Sequence, residues 1–316
     1  MKIVFLDALT LGEDIDLSGF NKFGEVEIYG SSPVECVAER VGDCDVVVTN
    51  KMKLGEQNLS QAKNLKLICV TATGFDNIDL VYAKQKGIGV CNVVGYSTNS
   101  VAQLTVACAL SLYGSLFSYR DYVSSGAYSE SGVANALTPV YREIEGKTWG
   151  IIGFGNIGQR VGRIAEALGC KLLVNKRAKI DDYECVDIDE LCSRSDIITI
   201  HTPLNESTRA LINGDRISKM KDGVILVNMA RGAVTDEHAI AEAVKAGKIG
   251  GFACDVYSAE PFPKSHPFYE IKDRQNVCLT PHMAWGAYEA RVRVCDEVAL
   301  NIEAYFAGKK RNRVDI

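Results

Sequence analysis

Short apolar runs separated by stretches of helical period set the rhythm of this chain. Residues 2–6 (Lys-Ile-Val-Phe-Leu), 45–49 (Asp-Val-Val-Val-Thr) and 65–70 (Leu-Lys-Leu-Ile-Cys-Val) are β-rich, and 89–91 (Gly-Val-Cys) is a shorter candidate. Compact β-branched runs with helical segments between them predict parallel strands covered on both faces. Ser97, Thr98, Asn99 and Ser100 are a cluster of capping residues and predict the start of a long helix. A second alternating series follows at 148–152, 171–174, 197–200, 224–228, 251–255 and 277–279. Six strands with interleaved helices match a doubly wound nucleotide-binding domain. The last helix is predicted over 288–307, with Val292, Cys295, Val298, Ala299, Ile302, Tyr305 and Phe306 on its apolar face and Gly308 as its C-cap. The fold class is therefore α/β, with two doubly wound parallel-sheet domains.

Residues 87–119 carry no charged side chain. Asn92, Gln103, Thr105, Ser111 and Ser115 punctuate the stretch, so a helix buried all round, between domains or subunits, fits it better than a membrane span. A length of 316 residues suits two domains, and an apolar fraction of 47% suits buried cores. A net charge of −5 argues against a nucleic-acid surface. The 11 cysteines are scattered singly, which predicts reduced thiols and a cytoplasmic protein rather than a disulfide framework. Asp7 cuts the first apolar run too short for a signal peptide. No His, Cys or Asp cluster has metal-ligand spacing, so no metal is expected.

The loop Gly153-Phe-Gly-Asn-Ile-Gly158 lies between a predicted strand and a predicted helix. In that setting Gly153 permits the tight turn, Gly155 lets backbone approach a pyrophosphate, and Gly158 lets helix pack on strand. Asn156 and Ile157 open the helix, whose unpaired N–H groups face the phosphates. The next strand runs into Asn175, Lys176 and Arg177, with no acid to hold a ribose 2′-hydroxyl. Two cations there favour the 2′-phosphate of NADP(H), with NAD(H) still open.

Three further residues stand in order downstream: Arg231 in Asn-Met-Ala-Arg-Gly, Glu260 in Ser-Ala-Glu-Pro, and His282 in Thr-Pro-His-Met. An Arg fork clamps a carboxylate and polarises a keto oxygen. A histidine donates a proton near operating pH, and a glutamate on its far nitrogen holds the tautomer and favours the protonated ring. Together they point to hydride chemistry on a 2-oxo acid. Of the other histidines, His238 is expected to face solvent, His266 to be structural, and His201, after a strand, to line the cofactor site.

Over essentially its whole length the chain resembles the D-isomer-specific 2-hydroxyacid dehydrogenases. The resemblance rests on Thr73-Gly-Phe-Asp-Asn-Ile-Asp79, Ser100-Val-Ala-Gln103, the glycine loop, His201-Thr-Pro-Leu204, Asn228-Met-Ala-Arg-Gly232, residues 255–261, and Thr280-Pro-His282. Thr49-Asn-Lys51, Val94-Gly-Tyr-Ser97 and Trp285 look most like the glycerate dehydrogenase and hydroxypyruvate reductase branch.

This resemblance implies a flavodoxin-like substrate domain (residues 1–98 plus 287–316), a Rossmann cofactor domain (99–286), and an active site in the cleft that closes between them. It also implies that Arg231, Glu260 and His282 are catalytic. His201, Pro203 and Asp255 would meet the cofactor, Asp255 at the nicotinamide amide. The backbone N–H groups of Thr73 and Gly74 would take a carboxylate oxygen, and Lys51, Met52 and Trp285 would line a small pocket for hydroxypyruvate or glyoxylate. Glu260 argues against the formate dehydrogenase branch, which has Gln there, and the end of the chain at Ile316 against a phosphoglycerate dehydrogenase with a regulatory extension. In the family the uncharged helix forms the subunit interface. Val101, Leu104, Val106, Cys108, Ala109, Leu110 and Leu112 offer more apolar surface than one sheet can cover, which predicts a homodimer. Two alternatives remain: a dehydrogenase for another 2-oxo acid, and a dinucleotide-gated scaffold of the corepressor kind.

Overall fold

The computed structural model describes residues 1–176 and 180–316. The chain divides into two compact units, Met1–Ser97 with Gly286–Ile316, and Thr98–Trp285.

The first unit is built on strands β1 (Lys2–Phe5), β2 (Glu25–Ile28), β3 (Val46–Thr49), β4 (Leu67–Val70) and β5 (Gly89–Cys91). All pair in parallel, in the order β2-β1-β3-β4-β5. That is the doubly wound order of flavodoxin-like sheets. β3 and β4 are buried at every position, which is why they read as unbroken apolar runs. Helices α1 (Val37–Arg40), α2 (Glu56–Leu59), α3 (Leu80–Gln85) and the last helix of the chain, α11 (Tyr288–Phe306), complete the unit. The tail after α11 covers the β5 edge: Val314 N–H donates to Val90 O at 3.0 Å and Asn92 N–H to Asn312 O at 3.1 Å. Strand β2 was not expected. Its Glu-Val-Glu-Ile pattern is half exposed, as suits a short edge strand guarded by charge.

The second unit contains β6 (Thr148–Ile152), β7 (Lys171–Asn175), β8 (Ile197–Ile200), β9 (Val224–Asn228), β10 (Ile249–Cys254) and β11 (Val277–Leu279). The sheet is parallel, ordered β11-β10-β9-β8-β6-β7. In the common Rossmann order a further strand flanks β7. Here that strand is reduced to one parallel bridge, Val174 to Cys185, and β11 brings the count to six. The helices are α4 (Thr98–Tyr113), α5 (Leu116–Ser124), α6 (Ala127–Glu130), α7 (Asn156–Ala167), α8 (Ile188–Arg194), α9 (Gly214–Lys219) and α10 (Glu237–Lys245). One core cluster joins α8, α9 and α10 to the sheet through residues such as Leu191, Ile217, Ile240, Leu226 and Phe252. Another joins α4 and α7 through Ala102, Ala109, Val161, Ala165, Trp149 and Val227.

The uncharged stretch is not one helix. It breaks at Gly114 and Ser115, where Ser115 takes φ 52°, and α5 leaves at 66° to α4. Among the described residues no single helix is long and apolar enough to cross a membrane; only α4 and α5 taken together have the length and composition. Most of the apolar surface of α4 is covered within the unit, with Leu104 and Leu110 half-buried. Val101, Val106, Cys108, Ala109 and Leu112 are buried within their own unit. A run of exposed apolar side chains lies beyond the break, at Leu116, Val123, Tyr128, Val133, Leu137, Val140 and Tyr141.

Candidate active site

The glycine loop joins β6 to α7. Gly153 has φ +88°, and a Cβ there would come 2.7 Å from the His201 carbonyl carbon and the Thr202 nitrogen. Only glycine accepts both that conformation and that approach. A Cβ on Gly158 would overlap the Gly153 carbonyl oxygen, so helix and strand pack at backbone distance. At Gly155, by contrast, a Cβ would meet nothing within 4 Å, leaving open a cradle that a side chain would fill. Asp187, Asn213 and Asp236 cap α8, α9 and α10 with their side chains, whereas α7 has no side-chain cap. Its first-turn N–H groups, including those of Asn156 and Ile157, carry the positive end of the helix dipole toward the open side of Gly155. This arrangement fits a dinucleotide pyrophosphate.

His201 follows β8, its N–H donating to Ile152 O at 2.7 Å. Both ring nitrogens are buried, without a hydrogen-bond partner among the described residues. Burial lowers the ring to about 3, which keeps it neutral. Pro203 is exposed and its carbonyl accepts the Thr208 hydroxyl at 2.7 Å. Lys176 is exposed just past β7. Arg177, the other half of the argument for NADP(H), lies outside the described residues.

Glu260 and His282 meet directly, with Glu260 Oε2 2.6 Å from His282 Nδ1. The other carboxylate oxygen of Glu260 accepts the Tyr257 N–H at 3.0 Å. His282 sits at φ 53°, an unusual left-handed conformation for a non-glycine residue. Asp255 holds it there. This carboxylate is 1% exposed; Oδ1 accepts the Thr280 hydroxyl at 2.6 Å and the Met283 N–H at 2.8 Å, while Oδ2 accepts the Ala284 N–H at 2.9 Å. Burial pushes the Asp255 carboxyl above its ordinary range, against hydrogen bonds that lower it. The sequence reading aimed Asp255 at a cofactor; the structure places it under the turn that presents His282.

Arg231 follows β9, half-buried, with Nη1 donating to Ala230 O at 2.8 Å. Asn228 Nδ2 donates to the Arg231 carbonyl at 3.0 Å and fixes its backbone. A Cβ on the next residue, Gly232, would overlap the Tyr257–Ser258 backbone. The arginine segment is therefore packed against the loop that carries Glu260. Trp285 is partly buried against the α4 core.

The remaining candidates stand at strand ends of the first unit. Asp7, 7% exposed, accepts the Lys51 N–H at 2.7 Å and the Asn50 N–H at 2.9 Å, organising the turn after β3. Met52 N–H donates to the Thr49 hydroxyl at 3.2 Å. After β4, the Thr73 hydroxyl donates to Val93 O and Asn92 Nδ2 donates to Thr73 O, both at 2.8 Å. Among the described residues the Thr73 and Gly74 N–H groups have no main-chain acceptor. Sequence reasoning missed Asp7, along with Glu237 and Ser258 described below. Each acts through partners distant in sequence, and nothing local marks it. Among the described residues no group of three or more His, Cys, Asp or Glu could hold a metal ion.

A Gly-rich loop opening a helix, a carboxylate–imidazole pair and an arginine on adjoining loops define a dehydrogenase-like site on a doubly wound sheet. The profile of the "D-isomer specific 2-hydroxyacid dehydrogenase, NAD binding domain" matches residues 106–284. The chain belongs to the D-isomer-specific 2-hydroxyacid dehydrogenase family. It is 36% identical to a hydroxypyruvate reductase of Blautia hydrogenotrophica, covering 100% of both chains. It is 37% identical to a glycerate dehydrogenase of Methylorubrum extorquens, covering 99% of each. Its fold matches that of D-lactate dehydrogenase from Aquifex aeolicus, solved with NAD and lactic acid, with a TM-score of 0.87, 31% identity and 99% of each chain covered.

Proposed function

We propose that the protein reduces a short 2-oxo acid, hydroxypyruvate or glyoxylate, to the D-2-hydroxy acid with a reduced nicotinamide dinucleotide. The observation that carries this is the Glu260–His282 contact of 2.6 Å, on a turn pinned by Asp255 and beside the arginine loop. The names of the relatives from Blautia and Methylorubrum support the choice of substrate.

When bound, the cofactor supplies the hydride to the carbonyl carbon. Gly155 and the first turn of α7 would hold its pyrophosphate, and His201 and Pro203 line the same end of the sheet. Glu260 engages Nδ1 of His282, so Nε2 is the nitrogen that delivers a proton to the carbonyl oxygen. Arg231 grips the substrate carboxylate and polarises the keto group. Lys51, Thr73, Gly74 and Trp285 are kept as the further substrate-binding candidates, each on its own unit. Lys176 and Arg177 favour NADP(H) over NAD(H), since neither repels a 2′-phosphate. The 11 unpaired cysteines suit the reducing cytoplasm.

Initial rates with hydroxypyruvate, glyoxylate, pyruvate and a branched 2-oxo acid, each with NADPH and NADH, test this reading. Fastest turnover of the first two with NADPH is expected. Equal or better NADH rates would remove the Lys176–Arg177 argument and leave the reaction intact. Cofactor binding without turnover of any acid would replace the enzyme by a dinucleotide-gated scaffold.

The same reading includes a homodimer. Exposed apolar side chains concentrate at residues 116–141, with Leu137 at 74% and Val140 at 76% exposure, and a second copy is the partner that covers them. Sedimentation at micromolar concentration is expected to give a dimer, and a monomer there would contradict it.

A further inference from the structure

The loop that carries Glu260 is held by a side chain to which nothing so far assigns a role. Glu237 is the first residue of α10 and is 9% exposed. Its Oε1 accepts the Ser258 N–H at 2.8 Å. Its Oε2 accepts the Ser258 hydroxyl and lies 3.0 Å from His266 Nε2. His266 is 6% exposed, and its Nδ1 accepts the Phe268 N–H at 3.2 Å. A ring whose Nδ1 accepts must carry its proton on Nε2, so His266 donates to Glu237. Tyr257, Phe262 and Phe268 surround that ring at centroid distances of 6.0, 5.0 and 5.0 Å.

A buried carboxylate with three donors is an expensive way to fill space, since a well-packed apolar group does so at least as well. What the carboxylate adds is direction. It fixes Ser258 from both its backbone and its side chain. Two residues further on, Glu260 reaches His282. On the other side of the loop, Gly232 lies against the Tyr257–Ser258 backbone. A shift at Ser258 would therefore disturb both the Glu260–His282 contact and the seat of the arginine segment.

We propose that Glu237, with Ser258 and His266, forms a positioning unit that sets where Glu260 meets His282. The proposal rests on the functional reading above. None of the three residues touches the reacting atoms.

Two substitutions test it. Glutamine at position 237 must place its NH2 group against either the Ser258 N–H or the His266 Nε2–H, so Glu237→Gln loses one contact by donor–donor conflict. Ser258→Ala removes a single hydroxyl and tests the same unit if Glu237→Gln does not fold. We expect kcat to fall by about 10- to 100-fold, with Ser258→Ala nearer the lower figure, as for other partners that orient a reacting group. Affinity for reduced cofactor is expected to stay within about twofold. In a Glu260→Gln background the effect of Ser258→Ala on kcat should shrink to within about twofold, because both act through one contact. Unchanged kcat in folded Ser258→Ala, or effects that multiply in the double variant, would overturn the proposal.

A readout that needs no turnover separates this proposal from the reaction itself. The chain has 4 histidines, so 15N-histidine labelling gives four pairs of ring signals, and the His282 pair is assigned by its loss in His282→Ala. The His282 ring signals should move in Ser258→Ala; if they stay, the positioning role fails. Absence of wild-type turnover would sink the functional reading alone.

Discussion

His282→Ala is expected to lower kcat by about 10²- to 10⁴-fold, the usual contribution of a positioned general acid. Reduced-cofactor affinity should change by less than about twofold, because the role proposed for the ring is toward the substrate oxygen and not the dinucleotide. The size follows from the geometry. The 2.6 Å contact with Glu260 holds one ring nitrogen, and Asp255 locks the turn through three hydrogen bonds. The ring is thus aimed before any substrate arrives, and alanine leaves water as the only acid. Steady-state kinetics with cofactor titration by fluorescence checks both halves. A variant that keeps near-wild-type kcat would remove histidine from the mechanism.

Phe252→Ala is expected to cost about 3–5 kcal/mol of stability, the usual range for an emptied aromatic core site. Phe252 is fully buried on β10 and meets Phe268 edge to face, with centroids 5.0 Å apart. Phe268 in turn packs on His266, so the cavity would open beneath the loop that carries Glu260. Both tryptophans of the chain, Trp149 and Trp285, belong to the second unit. Their fluorescence in urea therefore follows that unit selectively, and the midpoint should fall with little change in slope. A loss under about 1 kcal/mol would show that neighbouring side chains collapse into the space.

Most of the fold could be read from the chain because parallel strands covered on both faces are written as apolar runs. β3, β4 and β9 are buried at every position and were located to within two residues. What escaped lies at edges. β2 alternates glutamate with apolar residues and is only four residues long. The strand beside β7 shrinks to a bridge at Cys185, too short to leave a pattern. The break at Ser115 was hidden by the absence of charge around it, and so were the exposed apolar side chains of residues 116–141.

At the candidate site, glycine spacing marked the loop between β6 and α7, and three motifs marked Arg231, Glu260 and His282, of which the structure brings Glu260 and His282 into contact. The supporting roles were not legible, even for Asp255, which its motif did mark. Asp255 bonds to groups 25 to 29 residues away, Glu237 to groups 21 and 29 away, and Asp7 to groups more than 40 away. A buried carboxylate declares its purpose only when its donors arrive from elsewhere in the fold.

The first unit is assembled from both ends of the chain, and this has a consequence for how the protein is made. Residues 1–97 emerge from the ribosome first, yet α11 and the tail that covers β5 belong to the segment 286–316. At synthesis rates of about 5–20 residues per second, the early half waits roughly 10–40 s for its complement. The second unit, Thr98–Trp285, is continuous and has all its strands before the wait ends. The order of completion in the cell is thus the reverse of the usual one: the unit that starts the chain finishes last. During that interval the β5 edge lacks the tail that covers it, which leaves an unpaired strand edge of the kind prone to pairing with other chains.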